Sequence, residues 1–272
     1  MNIAVLTYES IDSTNTEALK QARLGAEEGL CIVARQQTAG RGRHGRTWVS
    51  ERDSGLYFSI VLRPKIETQF LPLITLMTGV AVHDTLAELG IDADIKWVND
   101  LHVNGKKICG ILAETTDTPK GLAVVVGIGI NIKSSNYPPE IASTATSIEE
   151  VQNAAHDHAL NSKLDPEPIS YPTAPELARS LTKFISYFYD ILRSNSGPAD
   201  IIDEWRKRST YFSGKRVRVV LENGSLTGIT DGLEPNGALR IRTFEGDLAM
   251  VQAGDVEQLR EESDPRQPMH AN

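Results

Sequence analysis

The sequence predicts an α+β protein: a mixed β-sheet domain with flanking helices, closed by a small all-β barrel. Three observations carry this. Apolar runs of strand length alternate with helix-period segments over residues 1–132. Helical pattern returns alone over residues 176–208. From Gly214 on, short alternating strands are separated by turn residues.

In chain order, Ile3–Leu6 reads as a strand. Asp12-Ser13-Thr14-Asn15 supplies capping side chains for a helix over Thr16–Leu24, which Gly25 stops. Leu30–Gln36 and Gly55–Leu62 read as strands. Gln69–Leu89 places apolar residues at 73, 76, 77, 80 and 81, the spacing of a buried helix face, and Gly90 ends it. Asp94–Val98, Lys107–Thr115 and Leu122–Ile132 follow as strands, the last rich in β-branched residues that suit burial. Residues 152–175 carry Pro166, Pro168, Pro172 and Pro175 with little periodicity, which predicts a long mobile surface loop. Helices are expected over Glu176–Leu192 and Ala199–Arg208. Lys215–Leu221, Ser225–Asp231, Ala238–Arg242 and Asp247–Val251 read as barrel strands, joined by Asn-Gly and Glu-Gly turns. The organisation is therefore a catalytic-sized unit over 1–212, a barrel over 213–260 and a disordered tail over 261–272.

A net charge of −8 argues against a general nucleic-acid coat but leaves room for a local basic site. Two cysteines, Cys31 and Cys109, sit in apolar runs and read as buried thiols, not as a disulfide framework or metal site. The N-terminus has no basic stretch ahead of its short apolar run, and no segment reaches the roughly 20 apolar residues of a membrane helix. A cytoplasmic protein without membrane contact is expected.

The basic site is visible. Gly40-Arg41-Gly42-Arg43-His44-Gly45-Arg46 holds three glycines and three arginines, with no acid between Gly29 and Ser50. Glycines let the backbone curl and present N–H groups to an anion, and arginines add forked donors for phosphate or carboxylate. The Gly-Lys-Ser/Thr ending of a P-loop is absent. By itself the loop says only that an anion binds. A loop this basic should be mobile when empty and ordered by its ligand.

Gly40–Trp48 resembles the adenylate-binding loop of biotin–protein ligases. Four further segments match that family in order: Ser13-Thr14-Asn15, Lys96-Trp97-Val98-Asn99-Asp100, Lys107–Glu114 and Gly127-Ile128-Gly129-Ile130-Asn131. The resemblance implies a class II synthetase-like catalytic fold with an SH3-like C-terminal barrel. It implies activation of biotin by ATP with Mg²⁺, then transfer from biotinyl-5′-AMP to a lysine of a carboxylase's biotin carrier domain.

Carried over residue by residue, biotin is met by Ser13, Thr14, Asn15, Gln37, Gly40, Arg41, Lys107, Gly110, Gly127 and Gly129. The nucleotide is met by Arg41, Arg43, Arg46, Trp48, Asn99, Asp100 and Asn131, with Asp100 a candidate Mg²⁺ ligand. Lys107 and Arg43 are the expected catalytic side chains. Lys107 is preferred to Lys106 because it lies three residues before Gly110, as in the family pattern. Val98 stands where the family has proline, and His44 at a variable position expected to face solvent. Only twelve residues precede Ser13, too few for a three-helix DNA-binding domain, so no specific DNA binding is expected. Oligomeric state is left open between monomer and homodimer. The barrel's role is open between docking the acceptor, closing the ATP site and capping the sheet. The rival readings are a lipoate–protein ligase or octanoyltransferase-like enzyme and a non-catalytic biotin or nucleotide sensor.

Overall fold

The computed structural model describes residues 1–162, 169–221 and 224–258. Strand β1 (Ala4–Tyr8) leads through helix α1 (Thr14–Arg23) to β2 (Leu30–Ala34) and β3 (Gly55–Leu62). Helix α2 (Leu73–Ala87) follows, then β4 (Asp94–Lys96), β5 (Asp100–Val103), β6 (Lys106–Thr118) and β7 (Gly121–Asn131). Helices α3 (Pro139–Ala142), α4 (Ile148–Asn161), α5 (Ala174–Leu192) and α6 (Gly197–Lys207) precede the second sheet. That sheet comprises β8 (Ser213–Leu221), β9 (Gly224–Leu233), β10 (Leu239–Thr243), β11 (Leu248–Val251) and β12 (Asp255–Gln258).

The first sheet has the order β1-β2-β3-β7-β6-β5-β4. Only β1 and β2 run parallel and the other pairs are antiparallel, so the sheet is mixed, as the sequence predicts. Side chains alternate between its faces. Cys31, Phe58, Ile111, Val126 and Ile128 pack toward α2 and α5, while Ile32, Val61, Ala123 and Val125 pack against Ala18 and Ala22 of α1. Along β7, the face of Ala123 and Val125 continues as Gly127 and Gly129. Where α1 stops covering the sheet, glycines replace side chains, and a hollow opens.

The second sheet is antiparallel throughout, in the order β11-β10-β9-β8-β12. Its Val217, Val219, Leu239 and Ile241 belong to the same apolar cluster as α2 and the first sheet. The fully buried indole of Trp97 donates to the Gly237 carbonyl at 3.0 Å, across that junction. The Trp97–Val98 peptide is cis.

Two sequence expectations are corrected. The loop expected over 152–175 is helical as far as Asn161. Ser147 caps α4 by accepting from the Glu150 N–H, and only Ile148 of the helix is buried. With no apolar stripe, α4 leaves little periodicity to detect. A capping box of Thr173 and Glu176 then starts α5, and residues 163–168 lie outside the described residues. The expected tail 261–272 lies outside them too. Finally, Thr68–Ala87 is long and apolar enough to span a membrane by length and hydropathy, contrary to the sequence expectation. Its Leu73, Ile74, Leu76, Met77 and Val80 are instead buried in the core beneath the sheet.

Candidate active site

The hollow at the end of α1 is a cavity of about 470 Å³. Its floor is backbone. Gly110 of β6 pairs directly with Gly129 of β7, and the Trp48 indole rests on both. A Cβ on Gly129 would lie 2.4 Å from that ring and one on Gly110 2.8 Å from it. Gly127 is as tight, since its Cβ would fall 2.2 Å from Asn15 Oδ1.

One end of the cavity is neutral and polar. The Thr14 N–H and hydroxyl both donate to Gln37 Oε1, at 2.8 and 3.2 Å. Gln37 Nε2 donates to Ser50 Oγ at 2.8 Å. The buried Ser59 hydroxyl lies 2.8 Å from Thr14 Oγ1 and 2.6 Å from Asn15 Oδ1. Ser13 is buried beside them.

The other end is cationic. Arg41, Arg43, Arg46, Lys96 and Lys107 face the cavity against two carboxylates, Asp100 and Asp255. Lys107 Nζ sits 2.7 Å from Asp100 Oδ1 and 5.4 Å from the Trp48 ring centroid. Arg43 donates to Asn99 Oδ1 at 2.8 Å, and Asn99 Nδ2 donates to the Ile111 carbonyl at 2.9 Å, so the loop is tied to β6. Arg46 pairs with Asp255, which lies 3.9 Å from Arg43 as well. Asn131 Nδ2 donates to the Thr146 carbonyl, fixing the segment after α3 at the cavity wall.

Burial pushes the Lys96 ammonium below its ordinary pKa, while Asp100 opposes the shift. His102 is pushed down to about 4, first by burial and then by Lys96. Its Nδ1 is 3.2 Å from the Gly105 carbonyl, and its buried Nε2 has no partner among the described residues. Burial pushes the Tyr137 hydroxyl up to about 12.

Of the residues assigned from the sequence to biotin or the nucleotide, all but one line this cavity. The exception is Gly40. It is buried behind the loop, where its carbonyl accepts from the Trp48 N–H and a Cβ would meet Trp48 O at 2.3 Å. Its task is to let the loop fold onto Trp48. Asn15 lines the cavity but spends both N–H groups on Leu112 O and Glu114 Oε2. His44 is exposed and turned away, with φ of 53°. Sequence reasoning missed Lys96, His102, Tyr137 and Asp255 as lining residues. Lys96 stood inside a quoted motif, whereas Asp255 arrives from a strand more than a hundred residues downstream and left no local signal.

Comparison with known proteins gives the family. Residues 7–131 match the biotin/lipoate A/B protein ligase family, and residues 212–258 match the biotin protein ligase C-terminal domain. The chain is 34% identical over 257 residues to a bifunctional ligase/repressor of Bacillus spizizenii, covering 93% of this chain and 73% of that protein. It is 33% identical over 249 residues to the biotin–[acetyl-CoA-carboxylase] ligase of Paracoccus denitrificans, covering 90% and 96% of the two chains. The biotin protein ligase of Aquifex aeolicus, solved with biotin and ATP, superposes with a TM-score of 0.76 at 28% identity, covering 94% of this chain and 98% of that one. A cavity floored by glycine and walled by arginine, in a chain that matches both family domains in order, makes this chain a member of the biotin protein ligase family.

Proposed function

We propose that the chain joins biotin to ATP, giving biotinyl-5′-AMP and pyrophosphate, and passes the biotinyl group to the ε-amine of a lysine in a carboxylase's biotin carrier domain. The observation that carries this is the polarity of one cavity, with neutral hydrogen-bonding groups at one end and five cations at the other. A ureido ring with an apolar body and a terminal carboxylate fits such a gradient.

Thr14, Gln37 and Ser13 offer donors and acceptors to the ureido ring. The glycines let Trp48 and Asn15 lie close against the sheet and leave the slot beside them for the bicycle, and Trp48 covers the acyl chain or the adenine. In the first step a carboxylate oxygen of biotin attacks the α-phosphorus, and the bond to the pyrophosphate oxygen breaks. Negative charge builds on the phosphoryl oxygens, where Lys107 and Arg43 are positioned to meet it. In the second step the acceptor amine attacks the acyl carbon and AMP departs with the bonding pair. The proton lost from nitrogen passes to solvent. Asn99 and Asn131 hold the walls against which the nucleotide lies. Asp100 is Lys107's ion-pair partner, and the described residues hold no cluster of three or more His, Cys, Asp or Glu side chains. This donor set does not fit a protein-held Mg²⁺ site. Mg²⁺ is read as arriving on the ATP phosphates, and no step is routed through it.

The test is incubation with biotin, ATP, Mg²⁺ and a carrier domain, read as a mass increase on one lysine. Lys107→Ala and Arg43→Ala are each expected to slow adenylate formation at least about 100-fold. Wild-type rates in both variants, or binding of lipoate without biotin, would overturn the reading.

A further inference from the structure

Arg41 has a partner that the proposed reaction does not use. Its Nη2 and Nη1 donate to Glu114 Oε1 and Oε2 at 2.7 and 3.0 Å, a two-point pair at the cavity mouth. Glu114 lies on β6, two and four residues beyond Leu112 and Gly110, and so on the same strand face as the glycine floor. The same Oε2 accepts from Asn15 Nδ2 at 2.9 Å. The Asn15 amide is fully committed: Nδ2 also donates to the Leu112 carbonyl at 3.1 Å, and Oδ1 lies 2.6 Å from Ser59 Oγ. Ser59 in turn touches Thr14, which touches Gln37. An unbroken chain of hydrogen bonds therefore runs from the neutral end of the cavity, Gln37–Thr14–Ser59–Asn15, to Glu114 and Arg41 at the cationic end.

We infer that Glu114 is a positioning residue: anchored by Asn15, it aims the Arg41 guanidinium at the carboxylate of the bound acid. The inference rests on the biotin reading above. Arg41 has five N–H groups, and Glu114 takes two of them, so three remain for a ligand. The pair thus orients Arg41 without exhausting it. Arg41's side chain is 42% exposed and Glu114's 24% exposed, and a pair this open adds little to folding. What it fixes is the direction of a long side chain on a glycine-flanked loop, which otherwise samples many rotamers. Asn15 is placed differently from the sequence expectation: with no N–H left to give, it serves the ligand through Glu114.

The experiment is calorimetric titration of the full chain with biotin and with its carboxamide, which keeps the ring and the chain but carries no charge. Glu114→Gln retains an oxygen for Asn15 and removes the charge facing Arg41. It is expected to weaken biotin about tenfold while changing the carboxamide less than about twofold. Arg41→Ala should reproduce that split, and adding Glu114→Gln to Arg41→Ala should cost nothing more. Equal weakening of both ligands by Glu114→Gln would show a distorted cavity and overturn the inference. Unchanged biotin affinity would reduce Glu114 to an ordinary surface partner, and tighter biotin binding would make it a competitor of the ligand. Either result overturns it too. A wild-type chain that binds neither ligand sinks the biotin reading itself, and that control is read before any variant.

Discussion

Lys107 shows how a single side chain acquires a task from its surroundings. It sits early on β6, is held at 2.7 Å by Asp100, and faces the indole of Trp48. The ion pair fixes an ammonium that would otherwise wander, at the point where arginines converge. His102, nearby, carries a pH dependence. Its folded pKa of about 4 lies below the ordinary 6.5, so the unfolded chain takes up a proton that the folded chain refuses. Stability from this residue is therefore present above about pH 6.5 and is lost as pH falls toward 4. Urea unfolding near pH 7 and near pH 5 should differ by ~2 kcal/mol from this source, a difference that His102→Gln removes. A second residue-scale outcome concerns the floor. Gly129→Ala should lower stability by about 1–3 kcal/mol and displace Trp48, read as a fall in Tm with a parallel loss of adenylate formation. At this scale much of the site was legible, because Ser13, Thr14, Gln37, Lys107 and the glycines sit in short motifs. The illegible residues reach the cavity only through the tertiary fold. Tyr137 and Asp255 carry no local pattern that marks them.

Among the elements, those with a strong apolar period were legible from sequence. Helix α5 buries Leu177, Leu181, Ile185, Phe188 and Leu192, a clean stripe, and its start was placed within two residues. Of the short strands, β11 was legible as Asp247–Val251, whereas β5 and β12 were not. Strand β5 has four residues, too few for an apolar period to predict it, although Asn104-Gly105, both at positive φ, form the two-residue turn into β6. Strand β12 also has four residues and follows no turn of that kind. Helix α4 tests the idea that a cap can stand in for a buried stripe. Ser147 is fully buried and accepts the Glu150 N–H at 3.2 Å. Ser147→Ala leaves that donor unpaired and is expected to cost ~1 kcal/mol in chemical denaturation. A change near zero would show that α4 is held from elsewhere.

For the molecule as a whole, the two sheets share one apolar cluster, and Trp97 bonds across their junction. Deleting the chain from Ser213 on would strip cover from Leu73 and Leu76, against which Gly237 packs, so a truncated chain is not expected to unfold cooperatively. The barrel's part in the reaction is better read from one point change. Asp255 brings the second sheet onto the arginine loop through Arg46. Asp255→Asn is expected to raise the KM for ATP about fivefold while leaving biotin affinity intact, measured by pyrophosphate release. Loss of biotin affinity instead would place Asp255 at the wrong end of the cavity. The glycine floor has a further consequence, for how such an enzyme can change over evolutionary time. Where Gly110 and Gly129 face each other, the wall is already bare main chain, and no substitution can hollow it further. Mutation there moves in one direction, toward a narrower slot. A descendant that accepts a bulkier acid must find its room in what covers those glycines, Trp48 and the arginines beside it, and so must alter the charge clamp in the same stroke.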